Sequence, residues 1–259
     1  MPQLFDVDLR RLRRDRAARV GPALFAHRRA FDDILERLAD IRRDFATAVL
    51  LGTPDPGWPA RLQSLGLDVR AFEPGALFAA AAGATHVEEM QAPIAAGSID
   101  LCIAAGTLDT IDELPIMLAL IRGWLKPDGL LIGAMAGGDT LPQLRSAMRA
   151  ADAVEGSATP HVHPRIAAAS LAGLLADAGF AMPVVDVDRV RVSYRTLGAL
   201  VADLRAMAAG SILAQRPRAG LSRAAYAAAE AQFQSAGADG KTVETFEILH
   251  FAGWAPQHG

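Results

Sequence analysis

Cysteine is almost absent from this chain: Cys102 is the only one. A single thiol excludes an internal disulfide framework and fits a reducing compartment, so a cytoplasmic location is expected. Lysine is nearly missing as well; apart from Lys126 and Lys241 the basic residues are arginines. No charge-free stretch reaches the ~18 residues that a membrane-crossing helix needs, so no transmembrane segment is expected. The arginine-rich start is unlike the apolar core of a signal peptide. Charge of neither sign prevails, and a net −3 gives no general case for nucleic-acid binding. What is present is 259 residues, 51% of them apolar, enough for a substantial core and a length common among open α/β domains.

The basic charge is concentrated near the start. Arg10, Arg11, Arg13, Arg14, Arg16 and Arg19 face a single acid within that run, Asp15, and Leu4, Phe5, Leu9 and Leu12 lie near helical spacing. The pattern predicts an amphipathic segment. Its simpler reading is a solvated arm packed on the body by its apolar side. Its functional reading is a contact for an acidic partner or an anionic membrane surface.

Strand and helix signals alternate from there. A helix over about 23–43 precedes an apolar strand at 48–51, and Pro59 suits the opening of the next helix. Strands are predicted at 68–72, near 85–87 and at 98–105, with a helix at 112–124. Leu125-Lys-Pro-Asp-Gly129 reads as a turn before a strand at 130–135. Helices at 140–152 and 166–178, a strand at 184–194, helices at 197–208 and 222–234 and a final strand at 242–253 complete the chain. Short loops between βα units imply a doubly wound, mostly parallel α/β sheet of seven strands, with a helical lid of about 196–240 inserted before the last strand. The predicted division is a basic helical segment, 1–45, and an α/β domain, 46–259.

The first strand ends in Gly52, where a ligand can approach the backbone, and the second ends in Glu73, placed to accept hydrogen bonds from a ribose. That is the frame of a nucleotide-binding βαβ unit. The loop after Gly52 is Thr-Pro-Asp-Pro-Gly, and Pro54 and Pro56 can donate no backbone N–H.

Larger pieces resemble a known family. The strand order and the turn at 125–129 look like a class I S-adenosylmethionine (SAM) dependent methyltransferase. Four segments are similar to the methyltransferase-like assembly factors of respiratory complex I, which are related to malonyl-carrier-protein methyltransferases. They are 4–18, Ala134-Met-Ala-Gly-Gly-Asp-Thr-Leu141, Ala178-Gly-Phe-Ala-Met-Pro-Val-Val-Asp-Val-Asp188 and Thr245-Phe-Glu-Ile-Leu-His-Phe-Ala-Gly-Trp-Ala-Pro256. The resemblance implies SAM as cofactor and a protein arginine, or a carrier-bound group, as acceptor, through methylation or hydroxylation. It implies a cofactor site at Gly52, Thr53, Asp55, Glu73, Glu88, Glu89, Ala105 and Gly106. Glu73 would meet the ribose and Glu88 or Glu89 the adenine amino group. The chain departs from the family where a His-Trp pair is usual, reading Leu108-Asp109-Thr110, and where His161 stands for an arginine.

Catalytic candidates are Asp109, Asp139, His161 and Tyr194, with His163 and Asp186 also polar enough to serve. Each has a structural alternative. Asp139 or Thr140 would cap the helix that follows. His161-x-His163 lacks a third ligand nearby, so a polar loop is favoured over a metal pair. Cys102 suits a core strand, Asp186 and Asp188 suit structural pairing, and Trp254 suits an anchor at the sheet edge. Three functions remain open: an active SAM-dependent enzyme, a catalytically silent paralogue serving as an assembly partner, and a binder of another nucleotide.

Overall fold

The arginine-rich start and the apolar periodicity after it fold as two helices, α1 (Val7–Val20) and α2 (Phe25–Asp40), ahead of the first strand. Asp6 caps α1 by accepting the Leu9 N–H at 2.9 Å, as a residue with a short carboxylate does at a helix start. The computed structural model describes residues 3–257. Next come β1 (Thr47–Leu51), α3 (Trp58–Gln63), β2 (Asp68–Glu73), α4 (Ala76–Ala82), β3 (Thr85–His86), β4 (Ile99–Ala105), α5 (Leu114–Trp124) and β5 (Leu125–Ala136). The second half holds α6 (Pro142–Glu155), α7 (Ala168–Asp177), β6 (Ala181–Tyr194), α8 (Leu197–Ala206), α9 (Arg223–Ser235) and β7 (Thr242–Trp254).

The strands form one sheet in the order β3-β2-β1-β4-β5-β7-β6. Strand β7 is antiparallel to β5 and β6, and the remaining pairings are parallel. Alternate side chains of the central strands enter two apolar layers, as the pleat requires. Leu50, Ile103 and Ile132 pack with α2, α6, α8 and α9 on one face. Val49, Cys102 and Leu131 pack with α5 and α7 on the other. Cys102 is wholly buried there, a core residue.

Two local expectations fail. Residues 125–129 are part of β5, where the register with β4 slips between Ile99 and Leu101 and Asp128 takes a left-handed φ of 65°. The Pro-Asp-Gly signal was real, but sheet pairing on both sides absorbs it as an irregularity within the strand. Nor does Asp139 or Thr140 cap α6. Leu141 is the residue before that helix, with φ 62° and no side-chain cap. Glu244 of β7 replaces the cap by accepting the Leu144 N–H at 2.8 Å and the Gln143 N–H at 3.3 Å. Thr140 is instead tied to β7, its hydroxyl donating to the Glu247 carbonyl and accepting the Glu247 N–H.

Candidate functional site at the carboxyl ends of the strands

Parallel strands β1, β2 and β4 end together, and in open α/β sheets ligands bind at that edge. Gly52 follows β1 with φ 84°, and a Cβ there would lie 2.9 Å from the Ala105 carbonyl oxygen and 3.2 Å from Thr107 Cβ. Its glycine is therefore demanded by the backbone turn and by the close approach of β4. The next residue, Thr53, donates its backbone N–H to Glu73 Oε2 at 2.7 Å. Pro54 and Pro56 offer no such donor. Asp55 folds back onto the Gly57 N–H at 3.0 Å and pairs with Arg28 at 2.8 Å, which holds its carboxyl below the usual range against the cost of desolvation.

Glu73 is fully buried at the end of β2, and the counterion is supplied by α1. Arg14 reaches it with a fork, Nε to Oε1 at 2.5 Å and Nη2 to Oε2 at 2.7 Å, while the Gly75 N–H donates to Oε1 at 2.8 Å. Bidentate guanidinium–carboxylate pairing of this kind combines charge with fixed geometry. One turn earlier on α1, Arg10 repeats the arrangement. It pairs with Glu89 at 2.6 Å and Glu88 at 2.9 Å, and its Nη2 donates to the Thr107 hydroxyl at 2.7 Å; Thr107 also donates to Glu89. Desolvation alone would raise the Glu89 carboxyl, but Arg10 and Thr107 keep it below the ordinary carboxylate value.

The inner face of α1 is thus Arg10, Arg14 and Ala17; of the apolar residues expected to pack the segment down, Phe5 and Leu9 do so against Ile212 and Leu213, whereas Leu4 and Leu12 are exposed. The physical reason is the pair of buried carboxylates, which need counterions more than the surface needs apolar cover. In the sequence these arginines read as a charge run; their role as counterions is set by the fold. Their spacing, i and i+4 with Ala17 following, was the available signal.

The rest of the edge is filled by side chains. His27 of α2 lies against Gly106, where a Cβ would come within 2.8 Å of the ring. Its Nδ1 is shielded and unpartnered, and burial followed by the charge of Arg14 pushes its pKa down to about 4. Trp58 is buried and stacks on Phe31 at 4.2 Å. Between Arg10, Arg14, His27, Trp58 and Ala105 remains a cavity of only about 120 Å³.

The catalytic candidates are not brought together. Asp109 lies on this cavity but is paired with Arg165. Asp139 is exposed and touches Arg189 at 3.1 Å. His161 bonds Asp152 at 2.8 Å and Thr159 at 2.6 Å, whereas the His163 ring accepts the Ile212 N–H at 2.8 Å, so the two rings share no ligand site. Tyr194 donates to Asp203 at 2.9 Å, and burial raises its phenol pKa. Asp186 and Asp188 pair with Arg37 and Arg29 of α2. Trp254 ends β7 with Phe45 at 6.4 Å and the Arg43 guanidinium at 5.6 Å. Among the described residues no group of three or more His, Cys, Asp or Glu could hold a metal, and no helix is long and apolar enough to cross a membrane.

The chain is similar to proteins named arginine-hydroxylase NDUFAF5, mitochondrial. The one from Homo sapiens is 32% identical over 266 residues, 97% of this chain and 76% of that one. The match to the Danio rerio protein is 36% over 63% of this chain and spans about half (52%) of that relative's length. A malonyl-[acyl-carrier protein] O-methyltransferase of Laribacter hongkongensis is 33% identical over 70% of this chain and 59% of its own. In fold, the chain resembles a solved structure described as a putative methyltransferase of Bacillus halodurans, with TM-score 0.57 and 10% identity over 87% of this chain and 99% of that one. No family model matches.

Proposed function

Because the chain belongs to the family of the arginine-hydroxylase NDUFAF5 proteins, on the class I methyltransferase fold, we propose that it is a SAM-dependent, methyltransferase-like protein of the complex I assembly type. Its acceptor in this reading is a protein arginine or a carrier-bound group. When bound, SAM supplies an activated methyl sulfonium. A reducing compartment such as the cytoplasm suits the lone buried thiol, while the human relative's name says mitochondrial of that protein.

The observation that carries the proposal is the pair of buried acids at the strand edge. Glu73 ends β2, and Glu89 lies beside Thr107 just past β4. Their chemistry suits the hydroxyls of a ribose and the amino group of an adenine. The space at this edge does not: the cavity lies on the far side of Arg10 and Arg14, is not lined by either acid, and at about 120 Å³ is well below the ~300–1,000 Å³ usual for ligand sites of that size. Arg14 and Arg10 hold the acceptor oxygens that SAM would use. In this reading the cofactor competes with α1, and its apparent affinity falls by the fraction of molecules in which α1 has left.

The test is calorimetric titration with SAM and, separately, S-adenosylhomocysteine. The expected result is weak binding by the unaltered protein and roughly tenfold tighter binding by Arg14→Gln, which keeps Glu73 hydrogen-bonded but gives up the ion pair. Failure of both proteins to bind either compound would overturn the SAM-dependent reading and leave the silent paralogue.

A further inference from the structure

On its other side, α1 borders a second and much larger recess. Arg13, Arg16 and Arg19 line it from α1, Arg205 from the end of α8, Arg216 from the segment after it and Arg223 from the start of α9. Its volume is about 1160 Å³. The floor is apolar, made by Leu144 and Met148 of α6 and Leu197, Val201 and Leu204 of α8.

The charge in this cleft is not compensated. Among the described residues Arg13, Arg16, Arg19, Arg205 and Arg223 form no ion pair, and Arg216 has only a long contact of 3.4 Å with Asp6. Arg13 is half-buried against the Gly210 backbone, and the charges of Arg216, Arg16 and Arg205 outweigh that of Asp6 on it. Burial first, and those three cations next, pull its pKa below the ordinary arginine value. The two acids on the cleft wall are otherwise engaged: Asp152 by His161 and Thr159, and Glu155 by the Ser222 N–H. Ser211 adds a shielded hydroxyl without a partner. Gathering like charges costs energy unless something anionic offsets it.

We propose that this cleft docks an acidic, amphipathic segment of a partner protein, whose carboxylates meet the arginines of α1, α8 and α9 and whose apolar residues cover the floor. The arginines are spread along three helices and a loop instead of converging on one point, which suits an extended chain better than a single phosphate. The recess also exceeds the ~300–1,000 Å³ of ordinary small-ligand sites. Its concavity is unsuited to a flat bilayer, since Arg13 stands on the wall and not on an outer rim. Leu141, His163, Arg165 and Leu204 line both this cleft and the strand-end cavity, so a docked segment lies beside the edge where the proposed chemistry takes place. That last relation rests on the methyltransferase-like reading; the docking does not.

The experiment is fluorescence anisotropy of the full chain with a labelled peptide of repeated Glu-Glu-Leu triplets, in the absence of SAM. The Glu peptide is expected to bind with an affinity that falls as salt rises, and the same peptide with Gln for Glu is expected not to bind. Arg13→Glu with Arg205→Glu should weaken binding at least about tenfold, whereas Arg70→Glu, away from the cleft, should leave it unchanged. Retained far-UV circular dichroism shows that the double variant is folded. No binding of the Glu peptide, or equal loss in the Arg70→Glu control, overturns the proposal. So does displacement of the peptide by inorganic phosphate at a similar concentration, or preferential binding to anionic phospholipid vesicles. Because SAM is left out, failure here leaves the cofactor titration to be judged on its own.

Discussion

At the residue scale, the Arg14–Glu73 pair decides how much of the strand edge is stable and how much is available. Removing one partner leaves a buried charge alone, which costs about 3–5 kcal/mol. Arg14→Ala is therefore expected to lower the urea midpoint by that equivalent. Adding Glu73→Ala should cost clearly less than the sum of the single changes, and a cycle without coupling would deny the pair this role. Three histidines shape the response to acid: burial holds His250 below its ordinary value as well, and His27 and His163 are shifted furthest. Burial, then arginine charges, hold the pKa values of His27 and His163 at about 4, against an ordinary 6.5. As pH falls below 6.5, the unfolded chain takes up protons that the folded rings refuse. Stability is full above that point and is lost progressively down to about pH 4, by about 3 kcal/mol per ring. Denaturant titrations at pH 7.5 and 4.5 should show the loss, and His27→Gln should flatten it. Little of this was legible in the sequence. Glu73 could be placed by a strand ending, and Glu88 and Glu89 by the family resemblance, but their counterions lie some sixty to eighty positions earlier, and only folding joins them.

At the scale of elements, legibility was high because the signals were local. The 3.6 periodicity of α2, the alternation of β6 and the Gly and Pro residues between elements each fix a boundary within a few positions. What failed depended on partners remote in the chain. The α6 N-terminus was assigned to Asp139 or Thr140, yet Glu244 serves it from β7. Glu244→Ala is expected to cost about 1–2 kcal/mol and to speed amide exchange of residues 143 and 144; exchange unchanged at those amides would show that the cap is unnecessary. The centre of the sheet tolerates even less. A methyl on Gly133 would overlap the Ala104 carbonyl and the Phe251 ring, neither of which can move without shifting β4 or β7. Gly133→Ala should destabilise by about 1–3 kcal/mol in thermal unfolding, an overpacking penalty.

At the scale of the whole molecule, one short piece of pairing joins the two recesses. Phe5 bridges Leu213 in antiparallel fashion, the Asp6 N–H donates to the Ile212 carbonyl at 2.8 Å, and the Ala214 N–H donates to the Leu4 carbonyl at 2.9 Å. The arm before α1 is thereby stitched to the segment after α8. Arg10 and Arg14 on the inner side of α1, and Arg13 and Arg16 on its outer side, are carried by one rigid rod. Any displacement of α1 by an acidic visitor at the outer arginines would also move the inner ones relative to Glu89 and Glu73. The two recesses are in that case thermodynamically linked, and whatever factor the visitor contributes to cofactor affinity the cofactor must return to the visitor. Anisotropy titrations of the acidic peptide with and without saturating SAM, paired with calorimetry of SAM with and without the peptide, should give the same ratio. A ratio above one would make α1 a gate that admits the cofactor when the partner is already seated, and a ratio of one would show the two recesses to be independent.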